Sequence, residues 1–162
     1  MSYNKKHWIE NWWAPTYRKI KIDELTDLFD WNSLSKTTAI TEKLCDGNNL
    51  NGTSQIKDIR FLSCDLFNTF SNLETLLTFE KCEFENCSLE GSIWKRVKFR
   101  ECKFTNVNFN VVTFDECEFI KCNFVNIHIS SNYLKFINTS IDSRAFLDAA
   151  YTNVNIEEIA PH

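Results

Sequence analysis

From Phe79 onward every fifth residue is large and apolar: Phe79, Phe84, Leu89, Trp94, Phe99, Phe104, Phe109, Phe114, Phe119, Phe124 and Ile129. An α-helix repeats its buried positions about every 3.6 residues and a strand about every two, so neither accounts for a period of five. A second column runs two places ahead of the first, through Leu77, Cys82, Cys87, Ser92, Val97, Cys102, Val107, Val112, Cys117, Cys122 and Ile127. These are small or medium groups. The positions between them are mostly Glu, Lys, Arg, Asn, Thr and Asp, so two residues in five face inward and three face out.

A chain that turns a corner every five residues closes a square after four pentads. Residues twenty apart then stack at the roughly 4.8 Å spacing of neighbouring strands. Segments such as Cys82-Glu83-Phe84, Cys102-Lys103-Phe104, Cys117-Glu118-Phe119 and Cys122-Asn123-Phe124 carry a small residue, a polar residue, then Phe. In this the chain resembles the pentapeptide-repeat family, in particular its quinolone-resistance group. The resemblance implies an all-β fold, a right-handed quadrilateral parallel β-helix. Its side columns would be Phe84, Phe104, Phe124; Phe79, Phe99, Phe119; Leu89, Phe109, Ile129; and Trp94, Phe114, Leu134.

The flanks are less regular. Ile56, Phe61 and Leu66, with Ile59 and Cys64 ahead of the last two, read as pentads in an earlier register, followed by a bulge or loop through Leu73 and Leu76. After Ile129 the period resumes two residues late at Phe136, Ile141, Phe146, Tyr151 and Ile156, with Arg144 breaking the inward column. Residues 144–151 read either as a further pentad or as a short helix capping the coil. Residues 1–55 lack the period and form a Trp-rich N-terminal cap segment, and residues 56–162 form the repeat with a C-terminal cap. Asp23 ahead of Glu24–Phe29 predicts an N-capped short helix. A solenoid exposes its apolar core at each end, so Trp8, Trp12 and Trp31 are candidates for a plug. Trp8, Trp12, Trp13 and Trp31 are also the candidate partner-binding residues.

Composition narrows the function. Eighteen basic residues against 22 acidic ones give a net charge of −4, which speaks against a basic nucleic-acid binder. No apolar run approaches the ~18 residues of a membrane span, and no export signal follows the first lysines, so a cytoplasmic, bacterial-type setting is expected. The seven cysteines are an odd set whose spacing follows the repeat rather than a zinc motif, so they read as buried core fillers in the thiol state. His128 falls on an outward position and is expected to be solvated. With no phosphate loop, nucleophile elbow or paired-histidine motif, neither catalysis, metal nor cofactor is expected.

Some members of the quinolone-resistance group protect DNA gyrase or topoisomerase IV, some by presenting an acidic face that imitates DNA. Here the outward columns alternate in sign: Lys81, Glu101, Lys121; Lys95, Asp115, Lys135; Glu80, Arg100, Ile120; Arg96, Glu116, Phe136. Only Glu83, Glu85 and Glu90, with Glu80 nearby, form a local acidic patch. The expectation is a non-catalytic, rigid protein-binding scaffold. Its alternatives are a gyrase-protecting or inhibiting factor and a thiol-based redox or metal sensor. The open C-terminal coil end, with Phe146, Leu147 and Tyr151, offers a surface for pairing with a second copy.

Overall fold

The computed structural model describes residues 25–50, 52–72, 74–129 and 134–152. The chain winds through about five turns of parallel strands with four sides. The first side stacks β1 (Ala39–Thr41), β4 (Arg60–Leu62), β8 (Glu83–Glu85) and the leading halves of β11 (Lys103–Asn108) and β14 (Asn123–Ile129). The second side holds β2 (Leu44–Asp46), β5 (Asp65–Phe67), the bridge residue Ser88, the trailing halves of β11 and β14, and β16 (Ala150–Thr152). The third is β6 (Thr69–Phe70), β9 (Ile93–Lys95), β12 (Thr113–Asp115) and β15 (Lys135–Ile137). The fourth is β3 (Gln55–Lys57), β7 (Leu77–Glu80), β10 (Val97–Arg100) and β13 (Glu118–Ile120). Every pairing is parallel, as a continuous coil requires.

The five-residue column is the core. All eleven residues from Phe79 to Ile129 are buried, and so are Ile56, Phe61 and Leu66 of the earlier register. Rings twenty apart stack nearly parallel: Phe84 on Phe104 at 4.8 Å and 4°, Phe99 on Phe119 at 4.7 Å and 13°. Neighbouring sides meet edge-on, as between Phe114 and Phe119 at 75°. Rings within these columns, such as Phe84, Phe99 and Phe104, thus combine apolar burial with stacking above and below. One expected stack differs. Phe114 pairs with Phe136, not Leu134, because the last coil is two residues longer than its neighbour, and Leu134 moves into the small-residue column while remaining buried.

Corners explain how three glycines suffice. The residue two places after each central side chain sits in the left-handed region, at Asp58, Ser63, Asn68, Lys81, Asn86, Arg96, Glu101, Asn106, Glu116, Lys121, Asn126 and Asn138. Gly91 and Val111 hold equivalent corners, and the β-branched Val111 is the residue least suited to its φ of 59°. Asn86, Asn106 and Asn126 join their corners by hydrogen bonds between side-chain amides, Asn106 Nδ2 donating to Asn86 Oδ1 at 3.1 Å and Asn126 Nδ2 to Asn106 Oδ1 at 3.0 Å.

The small-residue column does more than fill space. Six of the seven thiols reach the carbonyl of a central residue one coil away, among them Cys64 Sγ to Ile40 O at 3.2 Å, Cys87 to Phe61 O at 3.2 Å, Cys102 to Phe79 O at 3.3 Å and Cys117 to Trp94 O at 3.2 Å. Thr139 makes the same contact with an oxygen, its Oγ1 lying 3.0 Å from Phe114 O. A weak thiol donor and a hydroxyl are therefore alternatives at one geometric position.

At the N-terminal end the ladder begins before residue 56, which the sequence reading took as its start: Ile40 pairs with Phe61, and Cys45 with Leu66. Residues 1–24 lie outside the described residues. Over Leu25–Phe29 no helix forms, contrary to the expectation from Asp23; Leu28 bridges to Leu44 and Phe29 N donates to Leu44 O at 2.9 Å. Leu44 N in turn donates to Asp27 O at 2.8 Å, so this segment bonds to the ladder and not to itself. Capping instead occurs at Asp30, whose carboxylate accepts from Asn32 N at the start of the 3-10 helix Trp31–Lys36. At the other end the short helix α1 (Ser143–Ala149) replaces a further pentad, and its Phe146 packs edge-on against Phe109, Phe124 and Phe136.

Candidate functional site

Three sides of the coil carry the repeat's exposed polar residues, and opposite charges face one another across successive coils. Arg60 Nε lies 3.2 Å from Glu83 Oε2 and its Nη2 is 3.8 Å from Glu85, while Lys103 approaches Glu83 from the next coil at 3.9 Å. Lys98 pairs with Glu118 at 3.6 Å. Each exposed pair contributes little stability, about 0.2–1 kcal/mol, but together they cancel any extended field of one sign. The acidic patch expected at Glu83 and Glu85 is thus flanked by cations. Two expected columns shift with the two-residue lengthening of the last coil: Lys95 and Asp115 are followed by Ile137, and Arg96 and Glu116 by Asn138. Exposed apolar side chains on these sides, Ile93, Val125 and Ile137, are dispersed.

The second side is different in kind. Its outward positions Asp65, Ser88, Asn108 and His128 are all buried, as are Glu90 and Asn110 one position past the central residue. Asn108 Nδ2 donates to Glu90 Oε2 at 3.3 Å, Glu90 N to Ser88 Oγ at 3.2 Å, and Asn110 N to Asn108 Oδ1 at 2.7 Å. Two expectations are corrected here. His128 is not solvated, and burial holds its imidazole pKa down at about 4, so it is neutral at pH 7. Glu90 belongs to this row and not to the surface acidic patch. The inward-outward rule hid the row, yet a signal existed: none of these six positions is Lys or Arg.

Trp31 is the one described candidate among the partner-binding tryptophans, and it is buried. Its ring lies against Phe29, Phe61 and Phe70 over the first coil, and its indole N–H donates to Asp46 O at 2.9 Å. That position is a plug for the apolar end. Trp8, Trp12 and Trp13 lie outside the described residues.

Six thiols are buried and Cys122 is partly exposed. Burial pushes the Cys117 pKa up to about 12 and drives that of Cys87 well above its ordinary value. Such thiols stay protonated and poorly nucleophilic at neutral pH. Among the described residues no group of three or more His, Cys, Asp or Glu side chains is placed to hold a metal ion, and no helix is long and apolar enough to cross a membrane. A shallow polar cleft of about 410 Å³ opens beside Gly47, Asn48, Thr69, Ser71, Asn72 and Glu74. Asn72 spends its amide on the carbonyls of Gly52 and Thr53 and on the backbone N–H groups of Glu74 and Thr75, which closes the loop rather than offering groups to a ligand.

Parallel coils, a five-residue corner and in-register aromatic columns are joined by a match in sequence: residues 79–123 fit the family model for pentapeptide repeats, in nine copies. Residues 79–123 are a run of pentapeptide repeats. The matched residues run from β7 to the start of β14, the stretch where successive coils keep a strict twenty-residue spacing. No curated protein and no solved structure matches the chain. The match therefore brings a fold and no residue-level assignment of a site.

Proposed function

We propose that this protein is a rigid, non-catalytic protein-binding scaffold of a bacterial-type cytoplasm, which contacts its partner through Trp8, Trp12 and Trp13 and through loops outside the regular coils. The supporting observation is how the coils use their own groups. The central aromatics and thiols are committed to the core, and the charges of Arg60, Glu83, Lys98, Lys103 and Glu118 to pairing between coils. Recognition then falls to the segments that do not repeat. A preformed solenoid gives up little conformational freedom on binding, which favours affinity from a small contact. Tryptophans suit such a contact because they carry large apolar area and a polar N–H.

The same charge pairing argues against imitation of DNA, since Glu83 sits between Arg60 and Lys103 instead of within an acidic column. A direct effect on a topoisomerase is a separate question, answered by gyrase supercoiling measured with and without the protein. For the scaffold reading, the test is capture from a native bacterial lysate by the wild type and by Trp12→Ala and Trp13→Ala, each checked for an unchanged melting curve. The reading expects a macromolecule retained by the wild type and lost from the folded variants. Equal retention by all three, or none by the wild type, refutes it.

A further inference from the structure

The thiols stack as the aromatics do. Lys103 pairs with Asn123 and Lys103 with Glu83, so the preceding residues Cys82, Cys102 and Cys122 form one column through three coils. Cys102 Sγ sits 3.3 Å from Phe79 O and Cys122 Sγ 3.3 Å from Phe99 O, contacts that point both sulfurs the same way into the coil. Adjacent coils place such residues about 4.8 Å apart, inside the ~4.4–6.8 Å Cα separation that a disulfide spans. Cys82 and Cys102 are fully buried, whereas Cys122 occupies the last rung of the column and is partly exposed.

We propose that Cys102 and Cys122 form an oxidisable dithiol at the C-terminal end of the coil, converted to an inter-coil disulfide by a peroxide. The Cys122 thiol gives up its proton, the thiolate attacks one peroxide oxygen, the O–O bond breaks, and the departing hydroxide takes that proton and leaves as water, with a sulfenic acid on Cys122. The Cys102 thiol then bonds through its sulfur to the Cys122 sulfur, and its proton leaves with the expelled sulfenic hydroxyl as a second water. Two thiols lose two electrons and two protons, and hydrogen peroxide is reduced to two waters. The neighbouring Cys102 side chain lowers the Cys122 pKa from the ordinary thiol value, which raises the thiolate fraction where the oxidant has access. The other stacked thiols, Cys64, Cys82 and Cys87, lack that access. The product would fasten the last coil to the one before it.

The experiment treats the folded full chain with hydrogen peroxide, blocks remaining thiols after denaturation, and maps the digest by mass spectrometry. The expected result is a single cross-linked peptide pair containing Cys102 and Cys122, with the other five cysteines alkylated. Cys82→Ser should leave that cross-link in place. Cys102→Ser should abolish it and leave Cys122 to proceed to sulfinic acid; if that variant does not fold, the wild-type map decides alone. A different cysteine pair, sulfinic acid at Cys122 of the wild type without a cross-link, or seven unmodified thiols would overturn the proposal.

Discussion

Phe70 and Trp94 stack face to face, ring centroids 4.0 Å apart and planes 7° from parallel, although twenty-four residues separate them. The extra residues leave the ladder as the loop between β6 and β7, so the core column continues through an interruption in the sequence repeat. The same stack explains Gly47. A Cβ there would lie 2.5 Å from Thr69 O and 2.7 Å from Phe70 Cδ2, and the first of these is backbone that cannot yield without disturbing β6. Gly47→Ala is expected to lower stability by about 1–3 kcal/mol, read from the urea midpoint.

Phe104 is held between Phe84 at 4.8 Å and Phe124 at 5.3 Å, fully buried. Phe104→Ala removes a ring that a stacked column cannot collapse to replace. The expected loss is about 3–5 kcal/mol in thermal or urea unfolding, larger than at Phe124, whose far side meets only the capping helix.

Val111 makes a left-handed corner where five other corners use Asn. Val111→Asn should relieve steric conflict between the branched side chain and the backbone, raising stability by about 1 kcal/mol. Differential scanning calorimetry of the single variant would measure it.

His128 gives a pH dependence with a definite sign. Its folded pKa of about 4 lies below the ordinary 6.5, so the unfolded chain binds the extra proton first. The contribution of His128 is fully present above about pH 6.5 and is lost as pH falls from there toward 4. Comparing the wild type with His128→Asn, the residue found at Asn108 one coil earlier, isolates this term from the carboxylates. The wild type should lose more stability between pH 7 and pH 5 than the variant does.

The period of five made the core legible in the sequence, because burial at one position per pentad is a strict steric demand. It named Phe79 through Ile129, the thiol column, and the flanking pentads at Ile56, Phe61 and Leu66. Where the coil lengthens by two residues the same rule misplaced Leu134, Lys135 and Phe136 in their stacks, since only pairing in three dimensions tells which residue resumes the register. Burial of Asp65, Ser88, Glu90, Asn108, Asn110 and His128 was not legible from the period, and only the lack of Lys and Arg at these positions pointed to it. Periodicity says which way a side chain points, not whether that side meets solvent. Among the candidate contact residues, Trp31 shows the limit of composition: the same ring that suits an interface also suits the plug over Phe61 and Phe70.

The central claim, that twenty residues make one coil and that the coil is the unit of this fold, is tested most directly by excision. Removing residues 95–114 joins Trp94 to Asp115, which stands in register with the deleted Lys95. That protein should unfold cooperatively on heating, at a lower temperature than the full chain, because one stacked interface has been lost. Removing residues 95–112 instead, two fewer, should abolish the cooperative transition. Equal melting of the two deletion proteins would contradict the account.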